Sequence, residues 1–307
     1  MVFESMRGMK HAVLLLAFAS AVGWAAEPVK KAEPAPPLKL ASPTPGWRYE
    51  ESRRFPAPEA GQGAAADREF IYAINNFTVA KYRKATGERV AVWEGGKDGP
   101  LIHMNAGIVH DGRLYCAHSN YPGVPNLSSI EIFDTANLKH VGSHSLGRAD
   151  GSLTWIERRD RSTTLSKAGS SAAPAGTWIA CFVHYSKRGG EPDRGPEWTQ
   201  IIEFDDRWQR LRGWSLPADF MAHIGQRGYS VSGGAFGPKG LLYATGHDHP
   251  ELYVLDFPMG GSSLKWVATI PITAEGQAFG WDPTDSGVLY TIHKRSREVI
   301  VGRVTGP

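Results

Sequence analysis

Ser232-Gly233-Gly234, the turn Lys239-Gly240, the run Leu241-Leu242-Tyr243-Ala244-Thr245-Gly246-His247 and the run Glu251-Leu252-Tyr253-Val254-Leu255-Asp256 form the stretch from which the fold can be read. Small residues open it, a tight turn follows, one apolar run ends on a polar residue, and a second closes on an aspartate. Short β-branched and aromatic runs punctuated by Gly and Asp form hairpins: the runs pack on a pleated surface and the punctuation supplies the turns. The plan recurs on both sides. Gly61-Gln62-Gly63, Phe70-Ile71-Tyr72-Ala73-Ile74-Asn75 and Thr78-Val79-Ala80-Lys81-Tyr82 make one copy. Asn105-Ala106-Gly107, Leu114-Tyr115-Cys116-Ala117-His118 and Ser129-Ile130-Glu131-Ile132-Phe133-Asp134 make the next. Asp150-Gly151-Ser152, Trp178-Ile179-Ala180-Cys181-Phe182-Val183-His184 and Gln200-Ile201-Ile202-Glu203-Phe204-Asp205 make the third. The last is Gly276-Gln277-Ala278, Val288-Leu289-Tyr290-Thr291-Ile292-His293 and Glu298-Val299-Ile300-Val301.

A period of about 45 residues is that of a four-stranded propeller blade. Turns lead to outer strands at 90–93, 140–146 and 266–270, but none follows the last copy. Trp47-Arg48-Tyr49-Glu50, ahead of the first copy, alternates like a strand. The sequence therefore predicts an all-β protein, a β-propeller of about five four-stranded blades, with the N-terminal strand closing the ring so that no long edge stays unpaired. A two-sheet sandwich leaves the repeat unexplained.

Residues 1–25 read as a signal peptide: Arg7, Lys10 and His11 precede an apolar run over 12–22, with small residues at Gly23 and Ala25. The run is shorter than the roughly twenty residues a membrane span needs. Residues 26–45, rich in Pro, Lys and Ala, read as an extended, disordered linker, and 46–307 as the propeller domain. This predicts a periplasmic or secreted protein with no membrane span after cleavage. Lys+Arg 34 against Asp+Glu 31, without clustering, gives no footprint for nucleic acid. Cys116 and Cys181 lie inside apolar runs and read as buried thiols rather than a disulfide.

In a blade the innermost strand starts at the face to which the second strand returns. The starts of first strands carry Gln62, Asn105, Ser152, Ser232 and Gln277; the ends of second strands carry Asn75, His118, His184, His247 and His293. Histidines repeated at one strand position predict a polar channel mouth, since imidazole titrates near neutral pH and is the commonest metal ligand. Nearby loops add His103, Tyr121, Asp248, His249 and Glu275, the 188–198 insertion ending in Glu197 and Trp198, and a helix at 217–226. The 161–176 insertion, Ser- and Ala-rich, reads as a disordered loop at the far face. GxSxG, GxGxxG and HExxH motifs do not occur, which removes the signatures of a serine hydrolase, a nucleotide or flavin site and a zincin. Two chemistries remain. In one, histidine moves a proton while amides orient the substrate; in the other, one divalent metal ion polarises a carbonyl.

His103-Met104-Asn105-Ala106-Gly107, Ala117-His118-Ser119-Asn120-Tyr121-Pro122, Leu242-Tyr243-Ala244-Thr245-Gly246-His247-Asp248 and Glu275-Gly276-Gln277 resemble a group of exported bacterial β-propeller proteins commonly labelled cycloisomerase, themselves distantly similar to propeller enzymes that make or open lactone rings. The resemblance implies a lyase, isomerase or lactonase acting on a small carboxylated or sugar-like substrate. The expected acid–base groups are His118, His184 and His247, with Glu275 supporting them. Gln62, Asn105, Tyr121, Glu197, Trp198, Asp248 and Gln277 are the expected substrate contacts. A metal, if bound, is expected on His118, His184, His247 and His293, in a catalytic or a purely structural role. The rival expectation is a non-catalytic platform for a glycan, peptide or protein, which a broad apolar face rather than a narrow polar pocket would mark.

Overall fold

A computed structural model describes residues 37–148, 150–159 and 176–307. The expected signal segment and most of the 161–176 insertion lie outside these residues. Five four-stranded antiparallel sheets form the ring. Blade I comprises β2 (Gly63–Ala66), β3 (Phe70–Asn75), β4 (Thr78–Arg83) and β5 (Arg89–Glu94). Blade II comprises β6 (Met104–His110), β7 (Arg113–Ser119), β8 (Ser128–Asp134) and β9 (His140–Gly147). Blade III comprises β10 (Ser152–Arg159), β11 (Thr177–Val183), β12 (Gln200–Phe204) and β13 (Arg210–Ser215). Blade IV comprises β14 (Gly233–Phe236), β15 (Leu242–Thr245), β16 (Glu251–Asp256) and β17 (Lys265–Pro271).

Blade V takes β18 (Gly280–Asp282), β19 (Asp285–His293) and β20 (Glu298–Thr305) from the end of the chain and its outer strand, β1 (Arg48–Pro56), from the start. β1 pairs with β20 from Arg48↔Thr305 to Pro56↔Glu298, with one bulge between Glu51 and Arg53. Its exposed edge is charged: Arg54 grips Glu51 through two 2.7 Å hydrogen bonds and reaches Glu298 at 3.3 Å. Charge on an outer edge resists pairing with another chain. Residues 37–46, ahead of β1, have no regular structure but are tied to the ring, Thr44 N–H bonding Thr269 O at 2.9 Å.

Apolar faces of neighbouring blades pack on one another. The second strand of blade III is wholly buried, whereas the outer strands of blades I and II are exposed or half-buried along their length. Trp155 on β10 is fully buried, so its role is packing rather than lining the channel. Its ring lies where a Cβ on Gly234 would fall, 2.4 Å away, which explains the glycine at the start of blade IV. Cys116 and Cys181 are free, buried thiols, each with its pKa pushed well up by burial. Helix α1 (Ala218–Ile224), followed by a 3-10 turn over Gly225–Arg227, bridges blades III and IV where the sequence predicts a helix.

Candidate active site

Side chains from the start of the innermost strand of every blade converge on one cavity of about 410 Å³: Gln62, Asn105, Thr154, Ser232 and Gln277. Bulges make two of these placements. The β6–β7 register breaks between Met104 and Gly107, and the β10–β11 register between Leu153 and Trp155. Asn105 and Thr154 sit in those breaks, released from ladder pairing and re-aimed, as bulges allow. Both then tie neighbouring blades together, Asn105 Nδ2 donating to Leu153 O at 3.1 Å and Thr154 Oγ1 to Val231 O at 2.9 Å. Gln277 holds a left-handed backbone (φ 71°) and donates from Nε2 to His247 O at 3.0 Å. Gly276 beside it (φ 79°) leaves no room for a Cβ, which would meet Gly246 O at 2.3 Å.

One wall is a chain of rings. His103 packs on Tyr121 (centroids 4.7 Å), Tyr121 on Tyr185 (5.3 Å), Tyr185 on Tyr229 (6.2 Å), and Tyr229 stacks flat on His247 (4.0 Å, 17°). Amides adjoin it at His103. Asn76 Oδ1 accepts from Gln62 Nε2 at 2.8 Å and from His103 Nδ1 at 2.9 Å. This fixes His103 as the Nδ1–H tautomer. Burial, together with the nearby Lys294 cation and His118 and His247, pushes its pKa down to about 3, so the ring is neutral. Gln62, Asn105 and Gln277 each give one amide proton to the protein, and among the described residues no hydrogen bond engages their side-chain carbonyl oxygens, which remain as acceptors for a ligand. Lys294 and Arg188 also line the cavity, and among the described residues no carboxylate does. Burial and the Arg297 charge hold the Lys294 pKa below its ordinary value.

His247 is the expected histidine that reaches this cavity. It lies two residues beyond the end of β15, so its side chain is not committed to a sheet face. Its Nδ1 donates to Asp248 Oδ1 at 2.8 Å, and no hydrogen bond among the described residues engages Nε2. Burial raises the Asp248 pKa, but the His247 hydrogen bond and charge outweigh it, and Asp248 is held as a carboxylate. The result is a carboxylate-oriented imidazole with one nitrogen open to a ligand.

The other expected histidines do not meet there. His118 Nε2 accepts from Ile102 N–H at 3.1 Å, while Nδ1 donates to Ser129 Oγ at 2.8 Å, whose proton goes on to Glu131 at 2.6 Å. Both nitrogens are spent inside blade II. His184, 1 % exposed, donates to Asp150 O at 2.9 Å. His293 Nδ1 is capped by Ser296 at 2.6 Å, with Nε2 turned towards Glu275, 4.0 Å away. Glu275 is held by Arg295 at 3.2 Å on the rim of blade V. Glu197 lines a separate lateral cavity of about 920 Å³ between the 188–198 insertion and α1, and Trp198 is exposed on that insertion. The physical reason is the pleat: side chains of a second strand project into the space between blades, and only residues just past its end can fold over the channel. Asn76 and Lys294, each one residue past a second strand, do this. The expected four-histidine metal site is accordingly not assembled. Among the described residues, the one His/Cys/Asp/Glu group close enough to hold a metal is His223, His249 and Glu251, all within 4.8 Å.

No family model and no curated protein matches the chain. Among solved structures, Myxococcus xanthus glutaminyl cyclase is similar over 85% of this chain and 98% of its own, at 12% identity and a TM-score of 0.51. A luciferin-regenerating enzyme is similar over 85% and 96%, at 11% identity and a TM-score of 0.47. The WD40 repeats of RRP9 cover 87% and 100%, at 9% identity and a TM-score of 0.41. Likeness at these identities is one of fold. No helix among the described residues is long and apolar enough to cross a membrane.

Proposed function

We propose that the channel mouth is the active site of an isomerase, lyase or lactonase for a small carboxylate with hydroxyl or N–H groups. The carrying observation is the Asp248-held imidazole of His247 in a cavity that, among the described residues, is lined by two cations and no acid. Lys294 and Arg188 take the substrate carboxylate; the oxygens of Gln62, Asn105 and Gln277 accept from its hydroxyl or N–H donors. His247 Nε2 removes, and keeps, a proton from the side-chain carbon that joins the free carboxylate to the lactone-ring carbon bearing the ring oxygen. That electron pair forms the double bond as the ring C–O bond breaks, and the carboxylate so released stays on the cations. Ring closure is the reverse. General base catalysis by such a group contributes about 10²–10⁴-fold.

The cavity's size and polarity support this over a docking platform, which calls for a broad apolar face. The n-region and apolar run within 1–25 support action outside the cytoplasm, which N-terminal sequencing of the protein from cell fractions tests. The experiment for the activity is a turnover panel of lactones, unsaturated acids and sugar acids. An N-terminal glutaminyl peptide belongs in it, because a solved propeller of similar fold is named a glutaminyl cyclase. Two lining cations disfavour that peptide's ammonium group. Turnover of a carboxylate or lactone that His247→Ala abolishes is expected; unchanged turnover in that variant would remove the proposal.

A further inference from the structure

The loop 246–250 carries polar residues that face two ways. His247 and Asp248 serve the channel mouth, whereas His249, 1 % exposed, packs against His223 of α1 with ring centroids 4.8 Å apart. Glu251, which opens β16 and is 2 % exposed, completes the group. Its carboxylate accepts from Ala41 N–H on Oε1 at 2.7 Å, and from Tyr253 OH and His223 Nε2 on Oε2, each at 2.7 Å. A hydrogen-bonded pair of half-buried His223 with buried Glu251 needs nothing more. His249 is what such a pair leaves unexplained.

Neither ring nitrogen of His249 has a sound hydrogen bond. Nδ1 is buried without a partner. Nε2 meets only Gln226 Nε2 at 3.3 Å, and that amide's two protons already go to Lys39 O at 2.8 Å and His223 O at 2.9 Å. Burying a polar group without a partner forfeits its hydration with no return, so a group placed this way calls for a partner.

We propose that His223, His249 and Glu251 bind one divalent transition-metal ion, zinc by the chemistry of the donors, as a clasp joining α1, the His247-bearing loop and the segment 37–46. Two imidazoles and one carboxylate are a zinc donor set, with a fourth position left for water, at bonds of about 2.0–2.2 Å. The three donor atoms now lie within 4.8 Å of one another, so binding draws His249 in while His223 Nε2 and Glu251 Oε2, 2.7 Å apart, separate around the ion. The ion replaces the proton that His223 now shares with Glu251. Tyr253 and Ala41 already hold the carboxylate from outside, as hydrogen bonds to a ligating carboxylate do. Because Ala41 and Lys39 are bonded to Glu251 and Gln226, the ion also fixes the N-terminal segment, independently of any reaction at the mouth.

The test is zinc titration of the full chain against a chromogenic chelator, with limited proteolysis of the 37–46 segment as a second readout. One equivalent of zinc is expected, with cleavage within 37–46 slowed when it is bound. Affinity falls at least tenfold in His249→Gln and Glu251→Gln, and is unchanged in His247→Ala. Far-UV circular dichroism confirms that each variant is folded, and His249→Gln, close in size and still polar, covers the case in which Glu251→Gln does not fold. Folded wild-type protein that takes up no zinc, or zinc held equally well by His249→Gln, overturns the proposal.

Discussion

Histidines that look equivalent in the repeat separate into two physical kinds. His247 lies past its strand with one nitrogen open; His118 lies within its strand with both nitrogens engaged. Opposite responses to truncation follow. His247→Ala lowers turnover by about 10²–10⁴-fold while leaving the melting temperature close to wild type. His118→Ala strands the Ile102 N–H and destabilises by about 1–3 kcal/mol, measured by urea unfolding, with turnover per folded molecule retained. Lys294 gives a third outcome. Lys294→Met removes a cation from the carboxylate site, raising KM at least about tenfold with a smaller effect on kcat; equal KM values would place the carboxylate elsewhere.

β1 and β14 depend on close fits that single changes break. β1 closes the ring by pairing with β20 along its whole length. Deleting residues 46–56 exposes β20 as an edge and removes cooperative unfolding, observed as a broad calorimetric transition in place of a sharp one. At the start of blade IV, Gly234→Ala drives a methyl group into the buried Trp155 ring. Overpacking of this kind costs about 1–3 kcal/mol, read from the urea midpoint. The blade strands themselves were legible from alternation and turn residues. The bulges that aim Asn105 and Thr154 were not, because an extra residue in one strand leaves no mark in composition. A signal for Asn76 and Lys294 did exist: a polar residue one step beyond an apolar second strand.

The whole molecule buries imidazoles that must stay neutral, and that sets its response to pH. His103, His118 and His184 all have pKa values pushed below the ordinary 6.5 by burial, His103 to about 3 with Lys294, His118 and His247 near it. The unfolded chain therefore binds protons that the folded one refuses. Stability is complete above pH 6.5 and falls as the pH drops from 6.5 towards 3. Urea midpoints that stay flat between pH 7 and 5 would show that these rings are not held neutral by the fold.

A sequence period of about 45 residues fixes the number of blades, the closing strand and the face on which first-strand starts gather, because each follows from repetition along the chain. Gln62, Asn105, Ser232 and Gln277 were readable for that reason. Which second-strand histidine enters the cavity depends instead on the pleat and on where the strand stops, so the tertiary structure chose His247 and turned His118, His184 and His293 into their blades. The meeting of His223, His249 and Glu251 beneath residues 39–41 is also a tertiary event. It joins a helix, a loop, a strand and the N-terminal segment, whose separation along the chain carries no spacing that a repeat could reveal.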